Sequence, residues 1–205
     1  MQKIVILIAT LLTTIINGQS EFDQQMMEAR SFRTNDATRA IQMYETLGKS
    51  NAHNWLPLYY ASELLITGSF ELQDKALLKS NLDRAEALLK AADQRSPNNP
   101  EILVMRAIML TAWVNFDGAY YGMLYAQEIS RLYQSAMLLA PDNPRVVLNK
   151  ARWDMGMASF FGRDPKVHCS DVAYAKELFV TFKPESDLHP SWGKDQAEAI
   201  LKTCN

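Results

Sequence analysis

Four alanines at one register, Ala61, Ala107, Ala151 and Ala197, stand 46, 44 and 46 residues apart. The chain in front of them repeats too. Pro97-Asn98-Asn99-Pro100 leads to Ala107, and Pro141-Asp142-Asn143-Pro144 leads to Ala151 at the same distance. Asn54 and Pro190 hold that place, more weakly, before Ala61 and Ala197. Proline in a first helical turn forfeits no hydrogen bond, because that N–H has no partner in the helix. Each Pro-x-x-Pro phrase therefore stops one helix and starts the next. A unit of this length cannot bury its apolar face alone, so the units must stack.

Between the turns, apolar residues recur at three and four, the helical period. Glu21 to Gly48 reads as a short-turned hairpin recapped at Thr34-Asn35-Asp36. Further helices follow from Asn54 to Gly68, 74–93, 100–115, 117–139 and 144–161. Another starts at Asp164-Pro165, and Pro190 opens the last, which ends at Cys204. Gly122 weakens the continuity of 117–139. No stretch alternates as a strand would, and the spacing predicts about eight helices in four antiparallel hairpins.

With 205 residues, 48% of them hydrophobic, the chain can bury one sizeable core. Its 21 Lys and Arg are dispersed among 23 Asp and Glu. Nucleic-acid binding, which needs clustered positive charge, is not indicated. The start differs from the rest. Lys3, an apolar run from Ile4 to Ile16 broken only by threonines, and Asn17-Gly18 compose a secretory signal peptide over 1–18, with the mature domain over 19–205. The run is shorter than the ~20 residues of a membrane span. No later stretch is apolar enough to remain in a bilayer.

Further positions keep the register. Phe116 follows Ala107 by nine residues, and Phe70 and Phe160 stand likewise after Ala61 and Ala151. The helix before each Pro-x-x-Pro carries Ala85, Leu89, Ala92 and Pro97, then Ile129, Tyr133, Ala136 and Pro141. A third set holds Ala175 and Phe179 but departs at Phe182 and Asp187. This pattern resembles the tetratricopeptide repeat family, in which small residues let helices approach and large ones fill the wedge between hairpins. The family's unit is about 34 residues. The extra length here falls between the two helices of each unit, near Glu71–Leu82, Asp117–Gln127 and Gly162–Tyr174. A lengthened second helix overhanging one face is expected.

The resemblance implies an all-α, right-handed solenoid that engages a protein or peptide through its concave face, without cofactor. The first helix of each unit would line that face. Trp55, Leu58 and Ser62 come from one unit, and Glu101, Val104 and Ile108 from the next. Arg145, Leu148, Arg152 and Met155 follow, and then Ser191, Lys194 and Glu198. Arg145 and Arg152 would hold a carboxylate of an extended peptide.

Cys169 and Cys204 lie equidistant from the turn near Lys183–Pro190, so an antiparallel hairpin would face them and export would permit a disulfide. His53, His168 and His189 have no metal-ligand spacing. No phosphate loop, nucleophile elbow or zinc-protease motif is present, and no enzyme chemistry is indicated. One stretch stands out beside the groove. Phe116, Tyr120, Tyr121 and Tyr125, with Phe160 and Phe161, either seal the edge between overhanging helices or form an aromatic patch for a small ligand or glycan. The expected function is thus a binding or scaffold role in the bacterial envelope, through the groove or through the aromatic edge.

Overall fold

The computed structural model describes residues 21–204. The segment read as a signal peptide lies outside the described residues. The described chain is all-α, with nine α-helices, one 3-10 turn and no strand. Helix α1 covers 21–31, followed by α2 (Ala37–Ser50), α3 (Leu56–Ser69), α4 (Lys75–Arg95) and α5 (Pro100–Phe116). Then come α6 (Gly118–Leu139), α7 (Pro144–Phe160), the 3-10 turn Pro165–His168, α8 (Cys169–Thr181) and α9 (Lys194–Leu201). Each helix from α2 on packs against its successor, and α3, α5 and α7 also pack on one another in sequence. The ninth helix is α9, a short element lying on α8.

Asp and Asn set the starts. The side chains of Asp36, Asp74, Asn99, Asp117, Asn143 and Asp164 each accept from a backbone N–H of the following first turn. Such a cap is worth about 1 kcal/mol. Pro100 and Pro144 occupy the first turns of α5 and α7, as the repeat requires. Helix α6 runs through Gly122 without a break. The helix expected from Asp164 instead opens with the 3-10 turn and becomes α-helical at Cys169.

The larger departure is at the C-terminus. Pro190 does not open a helix. Residues 182–193 form an irregular strap, and α9 begins only after Gly193, whose φ of 113° favours glycine. A Cβ there would also stand 2.7 Å from the Phe179 ring. Beyond it, Cys204 is bonded to Cys169, which ties the chain's end to the start of α8.

The register alanines are core. Ala61, Ala85, Ala92, Ala107, Ala136, Ala151, Ala175 and Ala197 are all buried, as are Leu89 and Tyr133. Phe179 is half-buried, and Pro97 and Pro141 lie exposed in their turns. Small side chains at these crossings bring the helix backbones together.

One buried contact locks α5 to α7. Glu101 and Arg145 occupy the same position in successive repeats, each directly after the helix-opening proline. Arg145 is 1% exposed and Glu101 6%. Arg145 donates from Nε at 2.8 Å and from Nη2 at 2.6 Å to the two carboxylate oxygens, and Asn143 Nδ2 donates to Oε1 at 2.6 Å. The Phe182 ring lies 4.8 Å from the guanidinium. Both charges are therefore compensated, and losing either leaves its partner alone in a dry site. Glu101→Ala is expected to cost about 3–5 kcal/mol in urea unfolding. The double variant Glu101→Leu, Arg145→Met should recover most of that loss. A single variant no weaker than the double would show that the charges are solvated after all.

Candidate functional site

The expected concave groove is largely closed. Leu58, Ser62, Glu101, Val104, Arg145 and Leu148 are buried. They serve the contacts between repeats instead of facing solvent, and Arg145 cannot offer its guanidinium to a peptide carboxylate because Glu101 holds it. Trp55, Ile108, Met155 and Glu198 are half-buried, and Arg152, Ser191 and Lys194 are exposed.

The strap accounts for part of this covering. Trp192 packs against the core formed by the first repeats and donates from Nε1 to the Tyr59 hydroxyl at 2.9 Å. The Tyr60 hydroxyl donates to the Leu188 carbonyl at 2.7 Å. Arg30 donates to the carbonyls of Asp187 and Leu188. The His189 ring meets the Trp55 ring edge-on. The C-terminal strap thus reaches back onto α1 and α3, more than 120 residues earlier in the chain.

The tyrosines that the strap and its neighbours enclose stay neutral far into the alkaline range. Burial pushes Tyr60 up to about 12, partly offset by Arg30, and raises Tyr59 as well. Because the folded state holds the proton more tightly than the unfolded chain, this stabilisation is complete below about pH 10 and is lost as pH rises toward 12. Tyr60→Phe removes both the titration and the bond to Leu188. It should cost about 1 kcal/mol at pH 7, and its stability should fall less steeply than wild type between pH 10 and 12. Urea unfolding at pH 7, 10 and 11 checks this, and parallel slopes for the two proteins would refute it.

Beside the strap a hollow of about 630 Å³ opens among Trp55, Glu101, Arg145, Phe182 and His189; the more apolar hollow lies elsewhere. A cavity of about 640 Å³ sits among α5, α6 and α7, with Phe70 from the end of α3. This is within the range of small-molecule sites. Helix α5 contributes Ile108, Thr111, Val114 and Asn115. Helix α7 contributes Asn149, Arg152, Trp153, Gly156, Met157 and Phe160, and the adjoining Phe161 completes that wall. Helix α6 contributes Gly118, Ala119, Gly122, Met123, Ala126 and Tyr133. Met123, Phe160 and Phe161 are mostly exposed, so apolar groups form its rim.

The lengthened start of α6 therefore has two faces. Its small residues, Gly118, Gly122 and Ala126, recur every four positions and line the cavity. Its tyrosines turn the other way: Tyr121 is buried against Trp113 and beside Tyr125, with Lys75 over its ring, and Tyr120 packs edge-on against it. Phe116 packs into the neighbouring core. Of the aromatic edge expected from sequence, only Phe160 and Phe161 reach the cavity; Tyr120, Tyr121, Tyr125 and Phe116 do not. The signal that sequence reasoning missed is the stripe of small residues, together with Gly156 on the facing helix. A Cβ at Gly122 or Gly156 would meet no atom within 4 Å, so these glycines leave space that is empty of protein.

The polar inventory is short. Trp153 donates from Nε1 to Ser130, and Asn149 donates to the Arg145 carbonyl. Thr111 bonds within its own helix, and Asn115 donates to the Phe70 carbonyl. Burial raises Tyr133, which disfavours its phenolate. Among the described residues no three His, Cys, Asp or Glu converge as metal ligands. His53 and His189 do line one shallow depression with Glu185, which their separation in sequence had not suggested. Nor is any described helix long and apolar enough to cross a membrane.

Fold and site together define an all-α helical stack with an apolar, ligand-sized cavity between consecutive repeats. No protein-family model matches the chain, and no curated protein sequence does either. Among solved structures, the HusA haemophore from Porphyromonas gingivalis is similar. The two are 20% identical with a TM-score of 0.77, over 91% of this chain and 92% of that one. At that identity the likeness is one of fold.

Proposed function

We propose that this chain is an exported, non-enzymatic binding protein on a solenoid of the tetratricopeptide type, and that its ligand is a flat apolar molecule of the haem class held between α5, α6 and α7. The observation that carries this is the cavity: aromatic and aliphatic walls, a glycine floor, and room of the right order for such a ligand. Apolar contact supplies most of the affinity in a site of this kind. Of the lining side chains, the thioethers of Met123 and Met157 are the soft donors available to a haem iron. The fold shared with a haemophore supports the same ligand class. Export is supported by the Cys169–Cys204 disulfide, which persists outside reducing compartments, and by the signal-like first 18 residues. The peptide groove has less behind it, because several of its expected contact residues are buried.

Haemin titration followed by Soret absorbance tests the proposal. Saturable 1:1 binding is expected for the wild-type chain. Gly122→Leu and Gly156→Leu fill the cavity, and each should weaken binding by about tenfold or more. Both should keep or raise the thermal midpoint, since a helical glycine costs about 0.5–1 kcal/mol relative to alanine. Undiminished haemin binding by both leucine variants would place the ligand elsewhere, and no binding by wild type would remove the haem class.

A further inference from the structure

Arg152 is the one charged side chain among the residues lining the cavity. Like Arg30 and Arg95, which bond to neutral carbonyl oxygens, it is held without a carboxylate, and it alone of these lines the cavity. Arg33, Arg84, Arg131 and Arg145 each have a carboxylate partner, on Glu63, Glu45, Glu128 and Glu101 respectively. Arg152 has none among the described residues. Its Nη1 donates to two amide oxygens, Asn149 Oδ1 at 3.2 Å and Gln196 Oε1 at 3.0 Å. Neutral acceptors orient a guanidinium without cancelling its charge, and they leave donors for a further partner. The orientation is built from two directions. Asn149 is itself 2% exposed and fixed by the Arg145 carbonyl. Gln196 arrives on α9, one repeat further along the chain.

We propose that the cavity takes a ligand with an apolar body and an anionic edge, a carboxylate or an equivalent oxyanion, and that Arg152 is the group that recognises this anion. Asn149 and Gln196 are positioning residues. The inference rests on the α5–α6–α7 cavity being a small-ligand site. It adds an orientation, with the acid toward Arg152 and the apolar body against Gly122, Gly156 and Met157. Because Arg152 is exposed to water, the discrimination it provides is moderate: a charge-assisted hydrogen bond there is expected to be worth about tenfold in affinity.

The test uses two probe pairs that differ only in the anion: protoporphyrin IX with its dimethyl ester, and cis-parinaric acid with its methyl ester. Dissociation constants are measured by fluorescence on wild type, Arg152→Met, Arg152→Lys and Gln196→Ala, with thermal midpoints as the folding control. Each acid should bind wild type about tenfold more tightly than its ester. The gap should close in Arg152→Met through loss of acid binding alone, and persist in part in Arg152→Lys. Gln196→Ala should fall between. If Arg152→Met unfolds, Arg152→Gln takes its place. Esters bound as tightly as acids, or a gap that survives in the methionine or glutamine variant, would overturn the role of Arg152 while leaving the cavity as the site. If the porphyrins fail to bind but the parinaric pair shows the Arg152-dependent gap, the haem class falls and the anion anchor stands. Failure of all four probes on wild type would overturn both.

Discussion

The Glu101–Arg145 pair fixes how one repeat sits on the next. Both residues stand directly after the proline that opens their helix, so the pair joins the same point of α5 and α7. Bidentate geometry, a third donor from Asn143 and the covering Phe182 ring leave little freedom at that point. Two charges in a dry site are a weak source of net stability, because desolvation offsets most of their attraction. Their value lies in register: a slip of either helix would strand both charges. Hydrogen bonds spaced by about one repeat extend the same logic along the stack, with Arg95 to the Asn51 carbonyl, Asn115 to Phe70 and Arg152 to Gln196.

Locking one end of the α5–α7 contact determines what the other end can be. At the N-terminal ends the buried pair joins the two helices directly, and the strap borders a separate hollow of about 630 Å³ there. Toward the C-terminal ends Gly156 on α7 faces the Gly118–Gly122–Ala126 stripe of α6, and the helices enclose space instead of one another's side chains. Glycine in a helix interior is unfavourable by roughly 0.5–1 kcal/mol. Gly122 and Gly156 are two such residues around one volume, with Gly118 at the first position of α6 beside them, so the gap is built into the sequence at a cost to helix stability. The lengthened α6 provides the wall, and the extra residues of that repeat thereby acquire a structural reason.

The all-α fold was legible because its signals are local and periodic. Asp and Asn caps, helix-opening prolines and alanines at zero exposure each act within one turn or one crossing. The Cys169–Cys204 bond was legible from its symmetry about a turn. The site was not, for two reasons. First, a helical stripe says which face is apolar but not whether a neighbour covers it; Arg145 reads as a surface cation until Glu101, one repeat away, is placed against it. Second, the large aromatic residues of Phe116–Tyr125 dominate the sequence signal, whereas the cavity is defined by the small residues on the opposite face. Pro190 misled for a related reason. Proline is compatible with a first helical turn but does not create one, and here the bonds of Trp192 to Tyr59 and of Tyr60 to the Leu188 carbonyl accompany a backbone that stays non-helical through Gly193.

The strap connects these observations. Its anchoring on α1 and α3 and the disulfide at its far side together determine where α9 lies. Helix α9 carries Gln196, and Gln196 helps to orient Arg152 at the cavity. The group best placed to meet a ligand's polar edge is therefore positioned from both sides, by Asn149 within its own helix and by a terminal helix fastened across the molecule. A cation held only by its own flexible side chain would lose rotamer entropy on meeting an anion, at a cost of up to about 2 kcal/mol. Here that ordering is built in during folding, so the contact that matters for selectivity draws on long-range contacts made far from the cavity itself.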